Sequence, residues 1–111
     1  MQKVSYRKER LNELLKREII SIIRNNIKDR RLKEVVITEV IVSRDLISAK
    51  VFFSIAEESK ETTLLLLNKA AGFLRSQISN QIDLRHTPSL KFIYDTTINT
   101  SSKIEKILKN L

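Results

Sequence analysis

At 111 residues the chain is long enough for one domain that folds without cross-links, and with no cysteine it excludes disulfides, thiolate metal sites and cysteine nucleophiles together. Twenty-one lysines and arginines against 13 acidic residues leave a net charge of +8, a field that suits polyanionic partners, either nucleic acid or an anionic membrane surface. The excess is uneven: residues 1–31 hold 10 basic and 4 acidic side chains, net +6, and residues 32–111 hold 11 and 9, net +2.

The amino terminus, MQKVSYRKER, is not followed by an apolar h-region, and no later stretch approaches the roughly 20 apolar residues of a membrane span. The expectation is a soluble cytoplasmic protein with no membrane partner. Residues 5–28 lack Gly and Pro and carry Leu11, Leu14, Leu15, Ile19, Ile22, Ile23 and Ile27 at the 3.6-residue spacing of an amphipathic helix. EVVITEVIV (34–42) and AKVFFSI (49–55) are β-branched and aromatic runs separated by SRDLIS, which predicts two strands and a short loop. In the second run Ala49, Val51, Phe53 and Ile55 share a face.

From Ser59 to Ile82 the pattern is helical again, with Leu64, Leu67, Ala71, Leu74 and Ile78 near helical spacing and the chain's one glycine, Gly72, interrupting it. Glycine inside a helix costs roughly 1 kcal/mol relative to alanine, so a solitary one suggests a backbone requirement. The bend DLRHTPS then leads through Pro88 into a third strand, KFIYD (91–95). The predicted order is α, β, β, broken α, β over residues 1–95. A short helical tail follows over 96–111, with Ser102 and Glu105 as a capping box and Ile104, Ile107, Leu108 and Leu111 as its apolar stripe.

Opposite the apolar stripe of the first helix, Lys3, Arg10, Arg17, Arg24 and Lys28 fall on one face. From Arg10 to Lys28 this rail spans about 27 Å at 1.5 Å per residue, enough to follow several phosphates. An ordinary solvated helix face is the alternative, and it is disfavoured because Glu9, Glu13 and Glu18 lie toward the margin of that face. The lack of Trp or Phe among the apolar residues argues against a membrane-lying helix. The loop KDRRLK adds Arg30 and Arg31 to the same surface, or is simply a polar connection. Lys69, Arg75, Arg85 and Lys91 add positive charge near the glycine and the third strand; arginine there forks onto phosphate or pairs with Asp83 or Asp95.

No catalytic constellation is evident. His86 is the only histidine, Asp29, Asp45, Asp83 and Asp95 are scattered without metal-ligand spacing, and one glycine excludes a Walker loop or a dinucleotide fingerprint. The expectation is a non-enzymatic protein with no metal, cofactor or small-molecule substrate.

KDRRL (28–32), VSRDLISAKVF (42–52), KAAGFLRSQI (69–78) and LRHTPSLKFIYD (84–95), in that order and at those separations, resemble the ribosome-binding factor A family. The resemblance spans nearly the whole chain. It implies a type II KH-like α+β domain whose three-stranded sheet is covered on one face by helices. In place of the GXXG loop of ordinary KH modules, it implies an Ala-x-Gly kink between two helices, here Ala70, Ala71 and Gly72, so that alanine at Gly72 should destabilise. It further implies a monomeric assembly factor that binds free small (30S) ribosomal subunits through 16S rRNA. Such a factor assists late maturation and 5′-end processing without cleaving RNA. Where the family has Asp-Pro-Arg, this chain has Asp29-Arg30-Arg31, which leaves that loop without its proline. The competing expectations are a generic KH-like single-stranded RNA-binding protein and a protein interaction module.

Overall fold

The computed structural model describes residues 8–96, so Lys3 and the helix expected over 102–111 lie outside the described residues. Helix α1 spans Lys8–Asn26 and buries Leu11, Leu15, Ile19, Ile22 and Ile23, the stripe expected from its periodicity. It ends at Asn25–Asn26, residues that favour helix ends because their side chains compete for backbone hydrogen bonds, so Lys28 falls beyond the helix. Asp29 then caps a single 3-10 turn, Arg30–Leu32, by accepting the Arg31 N–H.

Strands β1 (Val36–Val42) and β2 (Ser48–Ser54) pair antiparallel, and β2 pairs in parallel with β3 (Ser89–Tyr94), giving the sheet order β1-β2-β3. A parallel pair cannot be closed by a tight turn. Helix α2 (Lys60–Gln81) supplies the crossover and packs back on the sheet, contributing Leu67, Leu74 and Ile78 to the core. Both helices lie on the face carrying Ile37, Val40, Val42, Ala49, Val51, Phe53, Leu90 and Phe92. The fold is α+β, in the predicted order.

Two local devices make that face work. Strict alternation cannot place Ile37 and Val40 on one side of a strand, but a β-bulge between Ile37 and Glu39 absorbs one residue and buries both. The displaced Thr38 donates its hydroxyl to Asp95 Oδ2 at 2.6 Å. At the opposite end Asn12 Oδ1 accepts the Val42 N–H at 2.9 Å, pinning α1 to the edge strand. In the β1–β2 turn the Asp45 carboxylate accepts the Ser43 hydroxyl (2.6 Å) and the Ile47 N–H (3.0 Å), which hold it below the usual carboxylate range. The same turn holds Leu46 at φ 65, a left-handed conformation uncommon for a bulky residue.

The break expected at Ala70, Ala71 and Gly72 is corrected by the structure. Residues 60–81 form one uninterrupted helix; the φ of Gly72 is not positive, and a Cβ built there meets nothing within 4 Å. The glycine is exposed, and the good helix formers around it outweigh its single propensity cost. Gly72→Ala should therefore stabilise the domain, by up to about 1 kcal/mol, through better propensity and a less mobile unfolded chain. A denaturation midpoint that falls would show a requirement this geometry lacks. Asn12→Ala leaves the Val42 N–H without its acceptor and should cost on the order of 1 kcal/mol, read as a lower midpoint at unchanged denaturant slope.

Candidate nucleic-acid interface

Arg10, Arg17 and Arg24 recur every seven residues on α1, so they drift only about 20° per step and stay in one line. All three are exposed, on the side of α1 turned away from the core. Within the helix the row spans about 21 Å at 1.5 Å per residue, shorter than expected because Lys28 lies past the helix end. Among the described residues the one ion pair within 4 Å is Arg31 with Asp29. Glu9 and Glu13 border the row on one side and half-buried Leu14 on the other, but no carboxylate closes on Arg10, Arg17 or Arg24. The row is a line of guanidinium groups with their hydrogen-bonding forks available, the geometry that suits phosphate oxygens.

Past Arg24 the surface changes character. An apolar groove of about 180 Å³ opens between α1 and the start of β1, floored by Ile20, Ile23, Leu32, Val35, Val36 and Ile37 and rimmed by Arg24 and Lys33. An apolar floor with a cationic rim fits an unstacked base beside its own phosphate. The groove has no signature in the sequence, where Val35 and Val36 look like ordinary strand residues; the exposure of Val36 becomes visible only once β1 is placed at the edge.

The loop beyond α1 is more constrained than the missing proline suggests. Arg31 forks onto Asp29 through Nε (3.0 Å) and Nη2 (2.8 Å), while its backbone N–H donates to the same carboxylate. The hydrogen bonds from Arg31 hold the Asp29 carboxyl below its usual range, and those to Asp29 raise the pKa of Arg31. A carboxyl lowered in this way contributes stability above its unfolded pKa and loses it as the pH falls through the folded one. The pair is exposed, so the contribution is screened and small. Arg31 thus spends two donors inside the turn, whereas Arg30 and Lys28 are exposed and make no ion pair among the described residues.

The remaining predicted positions are not gathered here. Lys69 is exposed on α2, on a face that also presents Leu65 and Phe73 to solvent. Arg75 meets neither Asp83 nor Asp95; its Nε donates to the Thr87 carbonyl at 2.9 Å, and Ser79 shares a hydrogen bond with the Thr87 hydroxyl, so both tie α2 to the bend. Arg85 and His86 are exposed on that bend. Lys91 points from the sheet face that the helices leave uncovered. Among the described residues no group of three or more His, Cys, Asp or Glu is placed to hold a metal ion, and no helix is long and apolar enough to cross a membrane.

The profile of the ribosome-binding factor A family matches residues 7–108. A ribosome-binding factor A of Vesicomyosocius okutanii is 50% identical over 110 residues, covering 99% of this chain and 96% of the relative. The crystal structure of ribosome-binding factor A from Thermus thermophilus superposes with a TM-score of 0.74 at 27% identity, covering 80% of this chain and 97% of that one. The Thermus thermophilus homology model fitted into the cryo-EM map of a complex with 30S superposes with a TM-score of 0.64 at 25% identity, covering 78% and 93%.

Neutralising the row with Arg10→Gln, Arg17→Gln and Arg24→Gln should leave the thermal midpoint nearly unchanged and weaken binding to RNA. Each lost duplex phosphate contact should flatten the logarithmic salt dependence by roughly 0.9. An unchanged slope in the folded triple variant would make the row an ordinary solvated face.

Proposed function

This chain belongs to the ribosome-binding factor A family, and from that membership we propose that it binds free small ribosomal subunits through 16S rRNA and acts there as a non-catalytic assembly factor. The observation that carries the proposal is the line of Arg10, Arg17 and Arg24, about 21 Å of guanidinium groups with no carboxylate partner among the described residues. The relative from Thermus thermophilus fitted into a map of a complex with 30S supports the choice of partner. The apolar groove beside Arg24 adds a place where a base that leaves its stack can rest.

In this reading the domain works by occupancy. A rigid basic surface that binds one local rRNA conformation better than its competitors shifts the population toward it by the difference in affinity and by nothing else. Late maturation and trimming of the 16S 5′ end then follow indirectly, as nucleases meet a substrate in its proper shape. The protein acts in the cytoplasm as a monomer. A second reading, a protein interaction module, is favoured by Leu65 and Phe73, which α2 exposes together.

Sedimentation of cell extract separates these readings: the protein should co-migrate with free small subunits and be absent from translating ribosomes. Purified protein should leave precursor rRNA uncut with or without divalent metal, while a deletion strain accumulates precursor with an unprocessed 5′ end. Sedimentation with translating ribosomes alone, or cleavage abolished by Asp29→Asn or Asp45→Asn, would overturn the assignment.

A further inference from the structure

The face of the sheet turned away from the helices has its own register of side chains. Along the β2–β3 ladder, Ser48 pairs with Ser89, Lys50 with Lys91, and Phe52 with Ile93. All six alternate with the buried Ala49, Val51, Leu90 and Phe92, so they lie on the open face. Strand β1 contributes Ile41 opposite Lys50 and Glu39 opposite Phe52.

Lys50 and Lys91 therefore stand side by side, on strands about 4.8 Å apart. Like charges directly opposite in a sheet repel and destabilise it. Both side chains are exposed and neither forms an ion pair among the described residues; Glu39 sits one row away and does not close on either. Half-buried Ile41, Phe52 and Ile93 surround the pair, and less water around a cation strengthens its attraction for an anion. An oxyanion between the two ammonium groups would turn the repulsion into attraction.

From this placement we infer that Lys50 and Lys91 clamp a backbone phosphate of RNA, making the open sheet face a second RNA-binding surface, on the opposite side of the domain from the arginine row. The inference rests on the rRNA reading above and extends it. RNA is the occupant that fits the charge: the whole chain is basic, and the carboxyl-terminal segment 97–111, with Lys103, Lys106 and Lys109 against Glu105, would add cations to cations. Phe52, in the adjoining row, offers an aromatic face to the neighbouring base. The domain then sits between two RNA segments, one along α1 and one across the sheet, and holds them at a fixed separation.

The test is binding of the full chain to purified free small subunits and to protein-free 16S rRNA across a salt series, comparing wild type, Lys50→Gln, Lys91→Gln and the double variant. One phosphate shared by both lysines predicts that the double variant flattens the salt slope by about 0.7 to 0.9, on subunits and naked rRNA alike. Relief of the repulsion should leave its thermal midpoint equal to or above that of wild type, so affinity and stability move apart. Combined with the Arg10, Arg17 and Arg24 substitutions, the slope losses should add, because the surfaces share no partner. A folded double variant with unchanged affinity and slope overturns the clamp, as does a loss seen on subunits but not on naked rRNA, which would place a protein there. If wild type itself fails to bind free small subunits, it is the functional assignment that falls.

Discussion

The inward row of the central strand, Ala49, Val51 and Phe53, is the contact on which the rest of the molecule depends. Strand β2 is hydrogen-bonded on both sides, so it has no edge, and its inward side chains are covered almost completely. Phe53 reaches furthest: Tyr94 meets it edge to face at 5.7 Å, the Tyr94 hydroxyl donates to the Ile55 carbonyl, and Lys60 Nζ sits 5.2 Å from the Tyr94 ring centroid. One buried ring thereby connects β2, β3 and the first turn of α2. Helix α1 covers the β1 side of the same row through Leu15 and Ile19.

Because both helices pack on one face, charge has two places to go. Arginines on α1 must lie opposite its buried stripe, on the outside of the helical layer. Lysines on the strands must lie on the uncovered face, since the other is full. The basic side chains are therefore divided between opposite sides of a thin domain, and Arg75 and Arg31 are spent on the Thr87 carbonyl and on Asp29. Among the described residues the basic side chains do not converge on one pocket, an arrangement that suits extended, shallow contact with a polyanion better than enclosure of a small molecule.

Much of this is legible in the sequence, and the failures have identifiable causes. Helix α1, the three strands and the central row follow from periods of 3.6 and 2, which burial enforces directly. Gly72 misleads because a composition of one glycine invites a special role, whereas the helix tolerates it on an exposed turn. The bulge at Thr38 cannot be read, since EVVITEVIV supports either face until a partner strand fixes the register. Lys50 is hidden for the same reason: alone in AKVFF it is an outward residue, and only parallel pairing with β3, set by a 22-residue crossover helix, puts it beside Lys91. The Asn12 bond to Val42 links residues 30 positions apart and leaves no local trace. The arginine row, by contrast, is visible because a seven-residue repeat lies within one element.

Stability and binding in this protein draw on different physics, and the structure keeps them apart. The core is aliphatic and aromatic, with one exposed ion pair among the described residues, so folding depends on apolar burial and is weakly sensitive to moderate salt. Binding to a polyanion depends on displaced counterions and is steeply sensitive. Exposed arginines and lysines that neutralise nothing within the fold add self-repulsion to the free protein, and a polyanion removes it.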